Sequence, residues 1–264
     1  MLANSEVRLE MQQKSSAKNK TETSSGFEWP EWTINIANID LENNDVFYSV
    51  NNASVKKGVF DPNAVKIDSL YLLANDLQYA QRKATANIQK LQFREASGIN
   101  VNRFNIQALV SNEKMEFRDL DIAANNNTVS GEVIIDYSDI NQFIQQPGTA
   151  RFQARLNNIS LDLNDIFRFQ PALKNNEYMR SLATSPVRGS LAATGPMDNL
   201  KLNSFNLRWR NTSLSGAGTV GNLQEPDKLF FNLPDARINT QRSDLIEFVE
   251  EEQLGIRLPE EISL

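Results

Sequence analysis

The stretch VNRFNIQALVSNEKMEFRDLDIA, residues 101–123, decides the fold class of this chain. Within it Phe104 and Ile106 alternate with polar neighbours, and Met115 and Phe117 do the same. Apolar side chains at every second position, bounded by Asn and Ser, indicate strands that are dry on one face and wet on the other. Strands of this kind belong to antiparallel sheets.

The same period of two extends outward from this stretch in both directions. It reaches back to Ile34 and Ile36 and forward to Leu229 and Phe231. A short unit, in which a polar residue precedes two apolar residues spaced two apart, recurs along the chain as NIDL, SLYL, KLQF, RFNI, DLDI, NISL and SFNL. Its interval is irregular, which favours a meander over a strict β-helix.

The phase of the alternation slips by one between Ile36 and Ile39 and between Ile67 and Leu70. Because a one-residue slip moves side chains to the opposite face, each slip requires a bulge, a kink or a strand break, and bulges bend a sheet. We therefore predict a mainly β fold, in which a long, curved antiparallel sheet forms a groove with an apolar interior, with one or two short helices. A compact sandwich, whose apolar faces cover one another, is the alternative.

Two interruptions of the strand pattern favour helices. Residues 164–182 carry an Asn or Asp cap, and Pro171 divides them into a short turn and a helix over residues 176–182. Residues 243–253 have Ser243 as a cap and Gly255 as a stop. Residues 1–26 form a polar leader or linker that could hold one strand, and residues 27–264 form the repeating β segment.

The composition excludes several classes of function. A net charge of −6 over 264 residues disfavours nucleic-acid binding. The chain has no His and no Cys, which removes the commonest general base, the commonest metal ligand and thiolate chemistry. No apolar run approaches the roughly 18 residues of a membrane-spanning helix. We therefore predict no enzymatic activity, no cofactor and no metal site.

Two local patterns have a plainer explanation than the chemistry they suggest. The stretch GAGTVG, residues 216–221, matches the dinucleotide fingerprint G-x-G-x-x-G, but a turn instead of a helix is expected after it. The carboxylates of Asp119 and Asp121, or of Asp162 and Asp165, could serve acid–base catalysis on a glycan. Asp119 and Asp121 are better explained as the solvated face of a strand, and exposed aromatics beside clustered carboxylates, as a carbohydrate-active β-solenoid needs, are not evident.

A family resemblance rests on the stretches WPEWTI (29–34) leading to DVFY (45–48), NTVSGEVIIDY (127–137), NISLDLNDI (158–166), and SLAATG (190–195) to GNL (221–223). Over roughly residues 29–264 the chain resembles TamB and its AsmA-like relatives, in the form found in Bacteroidetes-type bacteria. The resemblance implies a taco-shaped repeating β-groove protein that is anchored in the inner membrane, crosses the periplasm and meets an outer-membrane barrel partner. It also implies roles in phospholipid transport between the two membranes and in outer-membrane protein biogenesis and translocation.

The resemblance carries over no catalytic residue. Because the chain has neither a recognisable N-terminal anchor nor a C-terminal partner-binding domain, we expect it to be an internal segment of a periplasmic protein. The principal hypothesis is a groove that shields phospholipid acyl chains, and the second is a scaffold that binds outer-membrane proteins by strand addition. The candidate groove-lining residues are Leu70, Leu72, Leu91, Phe93, Phe104, Ile106, Phe117, Leu120, Ile122, Val133, Ile135, Phe205, Leu207 and Trp209.

Overall fold

The computed structural model describes residues 1–12, 26–224, 228–249 and 257–263. Of these, 59% are in strands and 13% in helices, and nearly all strand pairs are antiparallel. The predicted mainly β, antiparallel fold class is therefore confirmed. The chain divides into two compact units, one formed by Met1–Asn125 with Tyr137–Gln145 and the other by Asn126–Asp136 with Gln146–Leu264.

The first unit is a meander of long strands. Its elements are β1 (Leu2–Ala3), β2 (Glu6–Met11), β3 (Ile34–Val50), β4 (Ala64–Ala80), β5 (Lys83–Glu95), β6 (Asn100–Ser111), β7 (Lys114–Ala124) and helix α1 (Ile140–Gln145). From β3 to β7 each strand pairs antiparallel with the next one in the chain. Strands β1 and β2, from the polar leader, pair parallel with β3.

The second unit repeats the meander with shorter strands and helical insertions. Its strands are β8 (Asn127–Asp136), β9 (Arg151–Leu161), β10 (Val187–Pro196), β11 (Asn199–Trp209), β12 (Thr212–Gly221), β13 (Phe230–Asn232), β14 (Arg237–Gln241) and β15 (Glu261–Ser263). Strands β8 to β12 pair antiparallel in chain order, and β12 pairs with both β13 and β14. Strand β15 pairs with β14.

The helical interruption between β9 and β10 agrees with the sequence prediction. Helix α2 (Leu163–Phe169) starts after Asp162, whose Oδ1 accepts a hydrogen bond from the Asn164 N–H at 3.0 Å. A 3₁₀ turn (Pro171–Asn175) follows, and Asn176 then caps helix α3 (Glu177–Leu182) by accepting from the Met179 N–H at 3.0 Å. The predicted division at Pro171 is confirmed.

The other predicted helix is shorter than expected, and one helix was not predicted. Helix α4 (Arg242–Leu245) spans four residues and is preceded by Gln241, so Ser243 lies inside the helix and does not cap it. The carboxylate of Asp244 accepts hydrogen bonds from the Asn211 N–H and the Thr212 hydroxyl, both at 2.9 Å, which holds this turn against the β11–β12 hairpin. Gly255 lies outside the described residues. Helix α1 has no counterpart in the sequence prediction.

Candidate functional site

The strand register assigns the paired side chains of the first unit to one of two faces. Residues that are paired across neighbouring antiparallel strands project from the same face, and successive residues of a strand project from opposite faces. Phe104 pairs with Ile122, Ala108 pairs with Phe117, and these two pairs belong to the same face. Asn105 pairs with Asp121 and therefore lies on the opposite face.

A bulge in β7 makes this common face possible. Ile122 occupies an even position and Phe117 an odd one, so a regular strand would place them on opposite faces. Between the pairs of Asn105 with Asp121 and Gln107 with Arg118, β7 inserts one additional residue. Asp119 adopts a left-handed conformation there, with a φ of 50°. Because of this extra residue, Phe117 and Ile122, which lie on either side of the bulge, project from the same face.

The predicted slip between Ile67 and Leu70 is a bulge of the same kind. The register of β4 with β5 shifts between Asp68 and Tyr71, and Ser69 has a φ of 54°. Leu70 and Leu72 thereby join Ile67 on one face. The slip between Ile36 and Ile39 is different. Strand β4 has a slip of its own at the same level, so the pairing of β3 with β4 keeps one register there.

All of the lining residues predicted in the first unit lie on this one face, which we call the first apolar face. The bulges on β4, β5 and β7 bring them together, and most of them are half-buried, while Ile106 is 7% exposed. Among the described residues of this unit no second sheet covers the face. The members that the sequence predicted are Leu70, Leu72, Leu91, Phe93, Phe104, Ile106, Phe117, Leu120 and Ile122.

The opposite face of the first unit's strands is mostly polar and carries ion pairs. Arg103 binds Asp121 at 2.7 Å, and Glu116 binds both Lys114 at 2.8 Å and Arg118 at 3.0 Å. Hydrogen bonds from Lys114 and, second, from Arg118 hold the pKa of the Glu116 carboxyl below its usual value. These charged groups are therefore paired with one another on the surface.

An aromatic cluster covers one end of the first apolar face. Tyr79 belongs to this face, and Trp29 stacks on its ring with centroids 5.9 Å apart while Trp32 contacts it edge-on at 4.9 Å. The Tyr79 hydroxyl donates to the Pro30 carbonyl at 2.5 Å, and the Trp29 indole donates to Asn112 at 3.2 Å. The family resemblance begins at these tryptophans, but the sequence did not predict that they pack on the face.

The second unit has an apolar face built in the same way, the second apolar face. Its register pairs join side chains of one face across β8 to β12, including Ile135 with Phe152 and Leu191 with Phe205. Ile135, Phe205 and Trp209 are buried, with 9%, 5% and 7% exposure. The predicted lining residues of this unit all belong to the face: Val133, Ile135, Phe205, Leu207 and Trp209.

The glycine-rich stretch of residues 216–221 lies on strand β12 and does not begin a helix. Gly216 and Gly218 have φ values of 152° and 159°, and a side chain on either would come within 2.7 Å and 2.3 Å of the carbonyl oxygens of Asp235 and Asn232. These glycines let β12 approach the following segment closely. A dinucleotide site requires a helix N-terminus at this point, so the match to the fingerprint is coincidental.

Helices close one end of the second apolar face. The Trp209 indole donates to the Leu182 carbonyl at the end of α3, at 2.9 Å. The Phe248 ring lies 5.4 Å from Trp209, and Arg210 pairs with Glu247 at 2.9 Å. Trp209 therefore joins the helical segment to the sheet.

Neither a metal cluster nor a membrane-spanning helix is present in the described ranges. No group of three or more carboxylates that could hold a metal ion occurs there. None of the described helices is long and apolar enough to cross a membrane. The Asp162 carboxylate caps helix α2, and the Asp165 carboxylate pairs with Arg168 at 3.0 Å.

Comparison with known proteins gives no assignment. The chain matches no protein-family model, no curated protein and no solved structure.

Proposed function

We propose that this chain is a segment of a periplasm-spanning β-groove protein, similar to TamB and its AsmA-like relatives. It shields phospholipid acyl chains during transport between the inner and outer membranes and supports outer-membrane biogenesis. One observation supports the proposal above all. Wherever the apolar phase slips in β4 or β7, a bulge such as those at Ser69 and Asp119 restores the apolar side chains to the same face.

The dimensions of the first apolar face suit an acyl chain. Strands β3 to β7 are neighbours, and strands spaced about 4.8 Å apart give a face roughly 19 Å wide. One acyl chain spans half of a bilayer core of about 30 Å, or roughly 15 Å. Each CH₂ group removed from water contributes about 0.8 kcal/mol, so an acyl chain lying across the strands is stabilised along its length.

The polar face supports the same proposal. Its ion pairs, such as that of Arg103 with Asp121, keep the outer side of the sheet hydrated in an aqueous compartment. A half-buried apolar face on one side and a charged face on the other are what a lipid conduit between two membranes needs.

The second candidate function is a scaffold that binds outer-membrane proteins by strand addition. One observation favours it: all six residues of β2 are exposed, and among the residues that the structure describes β2 pairs only with β3. A strand edge of this kind offers unpaired backbone groups to an extended segment.

Photo-crosslinking in cells tests the proposal with matched positions. Probes that replace Phe104 and Ile122 project from the first apolar face. Probes at Asn105, Asp121 or Gln92 project from the opposite, polar face. We expect phospholipid adducts from the first pair and none from the others. Equal labelling of both faces would refute the lipid proposal, and adducts with nascent barrel proteins in place of lipid would favour the scaffold. Native mass spectrometry of the purified chain, which detects co-purified lipid, provides an independent measurement.

A further inference from the structure

A solvent-open cavity on the helical segment of the second unit, in which Lys174 and Arg180 are exposed, has a lining unlike that of the strands. It has a volume of about 500 Å³ and lies among α2, the 3₁₀ turn and α3. Phe167 and Ala183 are buried and form its apolar part. Its lining residues are Asn164, Phe167, Lys174, Arg180, Ala183 and Thr184.

Two cations line this cavity without a carboxylate beside them in the lining. Arg180 donates from Nη1 to the Lys174 carbonyl at 3.4 Å, which holds the guanidinium next to the turn that carries Lys174. The Lys174 ammonium lies 6.0 Å from the centroid of the Phe167 ring. The chain as a whole has a net charge of −6, so a cavity with two cations is a local exception.

Most carboxylates near the cavity already have partners. Asp165 binds Arg168 at 3.0 Å and also accepts from Asn127 at 2.6 Å. Glu247 pairs with Arg210. Glu177 is an exposed carboxylate one turn before Arg180 on the same helix. The described contacts therefore leave the ammonium of Lys174 and most N–H groups of Arg180 available to a ligand.

The cavity adjoins the end of the second apolar face. Ala183 and Thr184 directly follow Leu182, whose carbonyl accepts the hydrogen bond of Trp209. The Thr184 hydroxyl also accepts from Arg210 Nη2 at 2.5 Å. The cavity therefore lies beside the residues that close this end of the second apolar face.

We propose that this cavity binds a phosphate-bearing anion, with Lys174 and Arg180 contacting the phosphate oxygens. Guanidinium and ammonium groups are the side chains that bind phosphate most strongly, the first by paired N–H donors and the second as a point charge. A phospholipid headgroup and free phosphate both carry this chemistry. The lipid source rests on the function proposed above, whereas phosphate binding itself does not.

Calorimetric titration of the full chain with two probes tests the proposal. The probes are dihexanoyl phosphatidylglycerol and inorganic phosphate, and the variant is Lys174→Gln with Arg180→Gln. Its matched control is Arg188→Gln with Arg208→Gln, which removes two exposed cations that pair across β10 and β11 on the polar face of the same unit. We expect the cavity variant to weaken binding roughly fivefold per charge removed, and the control to bind like the unaltered chain.

A charge-preserving exchange, Lys174→Arg with Arg180→Lys, separates loss of charge from loss of fold and should keep most of the affinity. Binding of the lipid probe alone would assign the site to a headgroup, and equal binding of both probes would assign it to free phosphate. The proposal is overturned if the unaltered chain binds neither probe, or if the cavity variant and its control bind equally. Absence of lipid adducts at Phe104, with phosphate binding that still depends on Lys174 and Arg180, would reject the acyl-chain function and retain this site.

Discussion

Phe104 and Ile122 face each other across strands β6 and β7, and the adjoining pair, Asn105 and Asp121, projects from the other side of the same sheet. A probe or substitution moved by one residue therefore changes its surroundings from apolar to aqueous without leaving its strand. Matched neighbours of this kind allow the two faces to be compared within one element.

Truncation of Ile106 tests whether the first apolar face is packed. Ile106 is 7% exposed, and its neighbour Gln107 is exposed on the polar face. We expect Ile106→Ala to lower the free energy of unfolding by about 2–4 kcal/mol, because it removes buried methyl groups and leaves a cavity. Gln107→Ala should cost less than about 1 kcal/mol. Urea denaturation measures both, and equal losses would contradict the assignment of faces.

The bulge at Asp119 should depend on a residue that tolerates a positive φ. Asp119→Val places a β-branched side chain at a φ of 50°, which we expect to destabilise the chain by roughly 1–3 kcal/mol. Asp119→Gly removes that steric cost and should be close to neutral. Asp121→Val, on the extended part of the same strand, is the control and loses only a surface ion pair with Arg103. Thermal unfolding distinguishes them, and equal stability of the Asp119→Val and Asp119→Gly variants would contradict the bulge.

The sequence predicted the faces better than it predicted the bulges. Alternation identified the apolar side chains, and phase slips indicated that bulges must occur. The residues that adopt left-handed conformations within the strands of the first unit were not predicted, although their types carried a signal. They are Asn43, Ser69, Asp76 and Asp119, and short polar side chains of this kind tolerate a positive φ better than most.

The helices show where local patterns are too short to be informative. Helix α1 has six residues, fewer than two turns, so its apolar residues show no recognisable period. Its start did carry a signal, because Asp139 Oδ1 accepts hydrogen bonds from the N–H groups of Asn141 and Gln142 at 2.9 Å.

The cavity at Lys174 and Arg180 depends on the turn that separates α2 from α3. The spacing of these two cations in the sequence does not predict that they share a lining.

The hydrogen bond from Trp209 to Leu182 should fix the helical segment on the second apolar face. Trp209→Phe keeps an aromatic ring but removes the indole N–H and leaves the carbonyl without this donor. We expect a loss of about 1–3 kcal/mol and faster amide exchange in α3. The control is Trp32→Phe, because Trp32 is 56% exposed, and it should cost less than about 1 kcal/mol. Unchanged exchange in α3 after Trp209→Phe would show that other contacts hold the helix.

The ion pairs of Glu116 should make a small contribution to stability that disappears in acid. Lys114 and, second, Arg118 lower the pKa of Glu116 from its ordinary value of 4.5, so the folded chain favours the ionised carboxylate. Stability from a lowered pKa is present above the ordinary value and is lost as the pH falls through the folded value. We therefore expect Glu116→Gln to cost less than about 1 kcal/mol at pH 7, and the difference from the unaltered chain to vanish at a pH well below 4.5. Chemical denaturation across this pH range measures the difference, which should also shrink at about 1 M salt because surface charges are screened. A difference that persists unchanged in acid and in salt would mean that Glu116 stabilises the sheet by packing and not by charge.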